Sequence, residues 1–215
     1  MSDEPADEEE TSPPRWRRRK KARPEELVAA ALELFAQQGF AATRLRDVAR
    51  HAGVSKGTVY LYFKSKEDLL RAVVRDAVVP ILDSSDEVEL DSDASARDLL
   101  EELLRAWVDA FEQRGVTGVP RLVMAEANNF PDIAQEYVNT VLQRSRRLFG
   151  RVIKRGIRSG EFRPVDVRTT VDVLLAPVLF AQIHRSSLGA WDDGFTGDFL
   201  DAHIAFFLRS IEKQP

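Results

Sequence analysis

The sequence predicts an all-α fold of about nine helices, and three observations carry that prediction. From Pro24 almost to the C-terminus, apolar residues recur at three- and four-residue spacing. No segment shows a sustained two-residue alternation bounded by turn signals, so strands are not expected. Glycine and proline punctuate the periodic runs, at Gly39, Gly53, Gly115, Gly118, Pro131, Gly160 and between Gly189 and Gly197.

Taken in order, the first helix is predicted at 24–38. Pro24 suits its first position, and Glu25 and Glu26 lie in its positive first turn. Leu27, Ala31, Leu34 and Phe35 form its inward stripe, Gly39 suits the left-handed position after it, and Phe40 is placed to pack back on Phe35. Two short helices follow, at 44–51 and 56–62. Thr43 is the expected N-cap of one and Ser55 of the other, with Gly53 in the turn between. Leu45, Val48, Ala49 and Ala52 share one face of the former, and Val59 and Phe63 point inward from the latter. A fourth helix opens at Lys66 and is expected to end or kink at Pro80. Most of the acidic, serine-containing stretch 83–98 reads as an exposed connection. The remaining helices are expected at 94–113, 119–128, 131–159, 165–187 and 196–212.

Composition narrows the function. With 215 residues, 44% apolar and 31% charged, the chain has room for a small domain plus a larger one. The absence of cysteine excludes disulfides and thiolate chemistry. Three histidines without paired spacing give no expectation of a metal, and no cofactor is expected. The longest apolar run, Val173 to Ala181, contains Pro177 and is far short of the ~20 residues that span a bilayer. No signal-type segment opens the chain, so a cytoplasmic location without membrane association is expected.

The net charge of −4 hides an asymmetry. Residues 1–10 carry six acids and no base, residues 11–66 carry 13 bases against four acids, and residues 67–215 carry 18 bases against 25 acids. A basic segment on an acidic body is the electrostatic footprint of a nucleic-acid reader, although a solvated tail beside an ordinary domain has the same arithmetic. Residues 1–22 read as a disordered arm, acidic and then basic. Its Arg17, Arg18, Arg19, Lys20 and Lys21 have three readings: a solubilising tail, a minor-groove arm, or a phosphate-binding tail.

Residues 43–63 have helix-turn-helix spacing. The second helix of the pair has an outward face that packing does not explain: Lys56, Gly57, Thr58, Tyr60, Leu61 and Tyr62. Gly57 permits close backbone approach, and the hydroxyls of Ser55, Thr58, Tyr60 and Tyr62 suit phosphates or base edges. Lys56, Lys64 and Lys66 supply charge, and Leu61 or the Thr58 methyl suits a thymine methyl. The run from Phe40 to Leu70 closely resembles the DNA-binding domain of the TetR family. Ala49, Gly53-Val54-Ser55, Gly57, Thr58, Tyr60, Tyr62-Phe63 and Lys64-Ser65-Lys66 fall at that family's pattern positions. The resemblance covers about residues 24–72. Arg44 departs from it, standing where many members carry Thr or Ser. With Thr43 and Arg44 added, the candidate DNA contacts are Thr43, Arg44, Ser55, Lys56, Gly57, Thr58, Tyr60, Leu61, Tyr62, Lys64 and Lys66.

The resemblance implies a DNA-binding domain at 23–68 and an effector-binding and dimerisation domain at 69–215. It also implies a homodimer joined through the last two helices, a near-palindromic DNA operator, and a small-molecule effector held among the middle helices. Leu174, Val178, Phe199, Ile204, Phe207 and Leu208 are the candidate interface residues, with a monomer core as the alternative. Trp107, Phe111, Met124, Phe130, Tyr137, Phe180 and His184 are candidate pocket liners, which would suit an apolar or aromatic ligand, and packing in the core is the alternative for each. The expected function is a transcriptional repressor released by such a ligand; the alternative is a helix-turn-helix regulator without an effector. The cationic run Arg144, Arg146, Arg147, Arg151, Lys154, Arg155 and Arg158 reads as a solvated helix face. Gly53-Val54-Ser55-Lys56-Gly57 matches a nucleophile-elbow string, but a helix precedes it where that motif needs a strand, so catalysis is not expected. Deleting residues 1–22 should weaken DNA binding and flatten the slope of log K against log salt; an unchanged slope would leave the arm a tail.

Overall fold

The computed structural model describes residues 24–86, 93–192, 194–195 and 197–213. The basic arm Arg17 to Lys21 and most of the acidic stretch 87–93 therefore lie outside the described residues. α1 (Pro24–Ala42) buries Leu27, Ala31 and Phe35 as the spacing predicts, with Leu34 half-buried. Its end differs from expectation. Gly39 has a positive φ of 81°, but its ψ of 164° is extended, not left-handed helical. The chain turns a corner there and adds one further turn. The corner folds Phe40 onto Phe35, with ring centroids 5.3 Å apart, so aromatic burial sets the geometry.

α2 (Leu45–His51) and α3 (Lys56–Tyr62) are the two short helices. Gly53, with φ of 69°, closes α2: its N–H donates to Arg50 O at 3.1 Å, and the Val54 N–H donates to Ala49 O at 2.9 Å. Val59 and Phe63 are buried and fasten α3 to the body. α4 (Lys66–Asp86) is started by Ser65 and Asp68. The Asp68 N–H donates to Ser65 Oγ at 3.2 Å, and the Asp68 carboxylate accepts from the Lys64 N–H at 3.1 Å. α4 does not stop at Pro80. It continues to Asp86 and packs against α1 and α5 (Ala96–Gln113). The predicted connection is correspondingly shorter, because α4 takes its first four residues, while α5 opens at Ala96, close to the expected start at 94.

α6 (Val119–Glu126) is followed by α7 (Pro131–Tyr137), a π-helical turn (Val138–Leu142) and α8 (Gln143–Ser159). These last three form one continuous rod, where the sequence predicts a single helix at 131–159. α9 (Val167–Leu188) is capped by Asp166, whose carboxylate accepts the Thr169 N–H at 2.8 Å, and α10 (Asp198–Ile211) ends the order. Counting the rod once, nine helices and no strand are present among the described residues, apart from an isolated bridge between Phe162 and Glu212.

α8 lies against α5 on one side and α9 on the other, and one apolar core runs from Leu27 to Ile211. That core absorbs Leu174, Val178, Ile204, Phe207 and Leu208. These expected interface residues are instead buried within the single chain, because helical spacing marks an inward face without saying which copy covers it. Phe199 is half-exposed. Gly156 of α8 sits against the buried Phe162 ring, where an added Cβ would lie 2.2 Å from a ring carbon. Gly156→Ala should therefore lower the unfolding free energy by about 1–3 kcal/mol through overpacking, outweighing the ~1 kcal/mol that alanine gains in a helix. A urea midpoint that rises would contradict this.

Candidate nucleic-acid interface

The face of α3 opposite Val59 is presented outward. Leu61 is 81% exposed, Tyr60 47% and Tyr62 38%. The Lys56 ammonium lies 5.5 Å from the centre of the Tyr60 ring, which spreads its charge along the same face. Ser55 caps α3 as predicted: its Oγ accepts the Thr58 N–H at 3.2 Å and lies 2.9 Å from the Thr58 hydroxyl. Gly57 is exposed, and a Cβ built there would meet nothing closer than Ser55 Oγ at 3.7 Å. The fold itself does not demand a glycine at that position. Arg44 and Lys64 are exposed beside this face, as are Arg46 and Arg50 of α2. The last two were not singled out from the sequence, because a basic residue on a short amphipathic helix carries no signal distinguishing a binding face from a solvated one.

Two expected contacts have other tasks. Thr43 is fully buried and does not cap α2. Its hydroxyl donates to Gly39 O at 2.7 Å and accepts from Gln38 Nε2 at 3.2 Å, while Arg44 holds the N-cap position without a side-chain bond. The corner at Gly39 exposes carbonyls that need a donor, and Thr43 is the nearest one. Lys66 is half-buried. Its ammonium donates to Phe40 O at 2.7 Å and to Ala41 O at 3.2 Å, and it sits 4.2 Å from the centre of the Phe40 ring. Two of its three protons thus serve the end of α1.

The same corner meets the rest of the molecule. The Phe40 ring contacts Phe130 edge-on at 5.2 Å, Arg121 Nη2 donates to Ala36 O at 2.8 Å, and Arg71 of α4 pairs with Asp132 and Glu136 of α7. Ser65 and the backbone N–H at Glu67 hold the Glu67 carboxyl below its usual range, keeping the first turn of α4 negatively charged.

Residues 27–73 match the family described as "Bacterial regulatory proteins, tetR family". Residues 91–202 match the "Tetracyclin repressor-like, C-terminal domain". The chain belongs to the TetR family. Among its relatives is the HTH-type transcriptional repressor KstR2 of Mycolicibacterium smegmatis, 32% identical over 66% of this chain and 69% of that one. The HTH-type transcriptional regulator YfiR of Bacillus subtilis is 31% identical over 74% of this chain and 78% of its own length. The structure of FadR from Bacillus subtilis in complex with stearoyl-CoA has the same fold, with a TM-score of 0.69 at 22% identity over 87% of this chain and 96% of that one. The structure of the ketosteroid transcriptional regulator KstR2 of Mycobacterium tuberculosis gives 0.66 at 23% identity, covering 91% of this chain and 98% of the other.

In this TetR-family chain the expected pocket liners do not surround one cavity. Trp107, Phe111 and Tyr137 are packed core: the Trp107 ring lies 4.5 Å from Phe111 and 6.4 Å from Phe149, and burial raises the Tyr137 phenol pKa. Met124 and Phe180 face solvent, and Phe130 belongs to the contact with Phe40. His184 donates from Nε2 to Asp192 Oδ2 at 2.9 Å and lies 5.0 Å from the Phe195 ring. Aromatic residues at helical spacing fill whatever interior they face, so spacing alone could not separate pocket from core. The structure also marks unpartnered interior groups, of which the sequence reading named only Trp107. Trp107 Nε1, Ser145 Oγ and both amide atoms of Gln182 are buried without a hydrogen-bond partner. Among the described residues no group of His, Asp or Glu could hold a metal ion, and no helix is long and apolar enough to cross a membrane. Lys66→Ala should lower stability by about 1–3 kcal/mol, since it removes two hydrogen bonds from a charged donor and a cation–π contact. An unaltered thermal midpoint would return Lys66 to the set of DNA contacts.

Proposed function

We propose that this DNA-binding transcriptional regulator acts as a homodimeric, cytoplasmic repressor that is released from a near-palindromic operator by a small molecule. The observation that carries the reading is the outward face of α3, held by the buried Val59 and exposed along its other side. Each α3 enters a major groove, with the two copies about 34–36 Å apart. Lys56, Tyr60, Lys64 and Arg44 contact phosphates, while Thr58, Leu61 and Tyr62 approach base edges. Gly57 admits the DNA backbone where the fold itself leaves room for a Cβ. The basic arm adds phosphate contacts that carry no sequence information.

Support for the dimer comes from exposed residues that the sequence reading did not assign to an interface. α9 exposes Val173, Phe180 and Leu188, α10 exposes Phe206 at 69%, and Trp191 between them is 82% exposed. An apolar set of this size on the last two helices is costly to leave in water. Support for an effector comes from the unpartnered interior groups of Trp107, Ser145 and Gln182, which would anchor the polar part of a mostly apolar ligand. The relatives' names point the same way: one is a fatty acid metabolism regulator, and the FadR structure holds stearoyl-CoA. The reading without an effector is favoured by one observation: the expected pocket liners do not surround one cavity, with Trp107, Phe111 and Tyr137 packed in the core and Met124 and Phe180 exposed.

Selection of bound DNA from a random pool, followed by titration of the selected duplex, tests the central reading; a protein that enriches no sequence would overturn it. With that duplex, Tyr60→Phe should weaken all variants of the site by a similar factor of about three to ten, as loss of a phosphate hydrogen bond does. Phe206→Asp should convert dimer to monomer in sedimentation and lower operator affinity by at least about a hundredfold, since one half-site is then lost.

A further inference from the structure

The acidic run at the start of the chain has no part in the reading above. Residues 1–10 hold Asp3, Glu4, Asp7, Glu8, Glu9 and Glu10 and no base. A run of like charge usually stays solvated, but this one is tethered to a head of opposite sign. α1 opens at Pro24, so thirteen residues separate Glu10 from the head. A tether of that length reaches at most about 43–47 Å, and a domain of the head's size is about 25 Å across. Every face of the head is within range.

One face suits the run by charge. From Arg44 to Lys64 the chain carries Arg44, Arg46, Arg50, Lys56 and Lys64 against one carboxylate, Asp47. All five cations are exposed. Asp47 pairs with Arg50 at 3.0 Å and lies 3.9 Å from Arg46. Arg44, Lys56 and Lys64 have no carboxylate partner among the described residues. Other acids of the head are engaged: Asp68 accepts the Lys64 N–H, Glu33 pairs with His51 at 2.7 Å, and Glu67 bonds to Ser65. The basic arm is the rival partner for the run. Thr11-Ser12-Pro13-Pro14 separates the two. A tight reversal there is disfavoured, because a residue before proline is restricted to extended backbone and proline lacks the N–H that closes a turn.

We propose that residues 1–10 dock on the α2–α3 face as a tethered competitor of DNA. The inference rests on the DNA reading of that face. The carboxylates take the positions at Arg44, Arg46, Lys56 and Lys64 that phosphates take in the complex. The contact is electrostatic, so it weakens operator and random duplex by the same factor. Residues 1–22 then hold two opposed parts: the arm adds affinity for phosphate and the acidic run subtracts it. A short tether gives an effective concentration in the millimolar range. Against a contact of ~0.1 mM, the face is covered about nine-tenths of the time, which corresponds to a tenfold loss of apparent affinity.

The experiment compares the full chain with a deletion of residues 1–10 and with a variant of unchanged length, Asp3→Asn, Glu4→Gln, Asp7→Asn, Glu8→Gln, Glu9→Gln and Glu10→Gln together. Both variants should bind the selected operator and a random duplex about tenfold more tightly at low salt, and the gain should shrink as salt rises. This is opposite in sign to the effect expected for loss of residues 1–22. Docking is read separately, without DNA. The chain has no cysteine, so Ser2→Cys carries a nitroxide label alone. The label should broaden the amide signals of residues 44–64, and the broadening should vanish when operator is added. Unchanged or weaker duplex affinity in both variants overturns the inference. So does broadening confined to residues 15–21, which would make the arm the partner. Tighter duplex binding without broadening on α2 and α3 also overturns it, leaving plain repulsion between the run and DNA. If no variant binds any duplex while residues 44–64 are broadened, the contact stands and the DNA reading of α3 fails.

Discussion

A helix of seven residues has almost no stability in water, because nucleation costs more than two turns of hydrogen bonds return. α3 is such a helix, and everything proposed for its outer face depends on Val59 and Phe63 being held in the core. α3 packs against α2, α2 packs against α1, and α1 turns its corner at Gly39. That corner lays Phe40 on Phe35, and Lys66 clamps the carbonyls the corner leaves open. The outward tyrosines and Leu61 are presented from a side whose inner residues, Val59 and Phe63, are buried. This is what a reader of base edges requires, since misplacement by an ångström forfeits a hydrogen bond.

Much of this was legible in the residues. The helices followed from spacing, and the turn at Gly53 from its neighbours. The outward face of α3 followed from having more polar and aromatic residues than packing could use. What was not legible depended on contacts between residues distant in sequence. Thr43 reads as a cap beside a helix start, and only the corner at Gly39 shows why its hydroxyl turns inward. Lys66 reads as surface charge, and its carbonyl partners lie 25 and 26 residues earlier. Leu174 and Phe207 have the same pattern whether a neighbouring helix or a second chain covers them, so the sequence could not divide core from interface. The exposed set of Phe180, Trp191 and Phe206 became visible once the inward faces were assigned.

Two surfaces of the chain are left chemically incomplete. The α3 face offers exposed hydroxyls and cations, and the last two helices expose aromatic rings. Each asks for a different complement: a polyanion of regular shape and an apolar surface. They occupy different elements, so a change at one can be made without dismantling another. In the interior, Gln182 is the group most at odds with its surroundings, since neither of its amide atoms finds a partner among the helices that enclose it.

The wide turn at Val138–Leu142 gives the long rod a property that a plain helix lacks. One surplus residue is stored there, and tightening the turn would advance everything beyond it by about 1.5 Å and 100°. The near end of the rod is tethered to α4 through Arg71, and beyond the coil Gly150 lies close against Val167 of α9. Each end of the rod has its own attachment, so a change in register between them would be absorbed at that one coil.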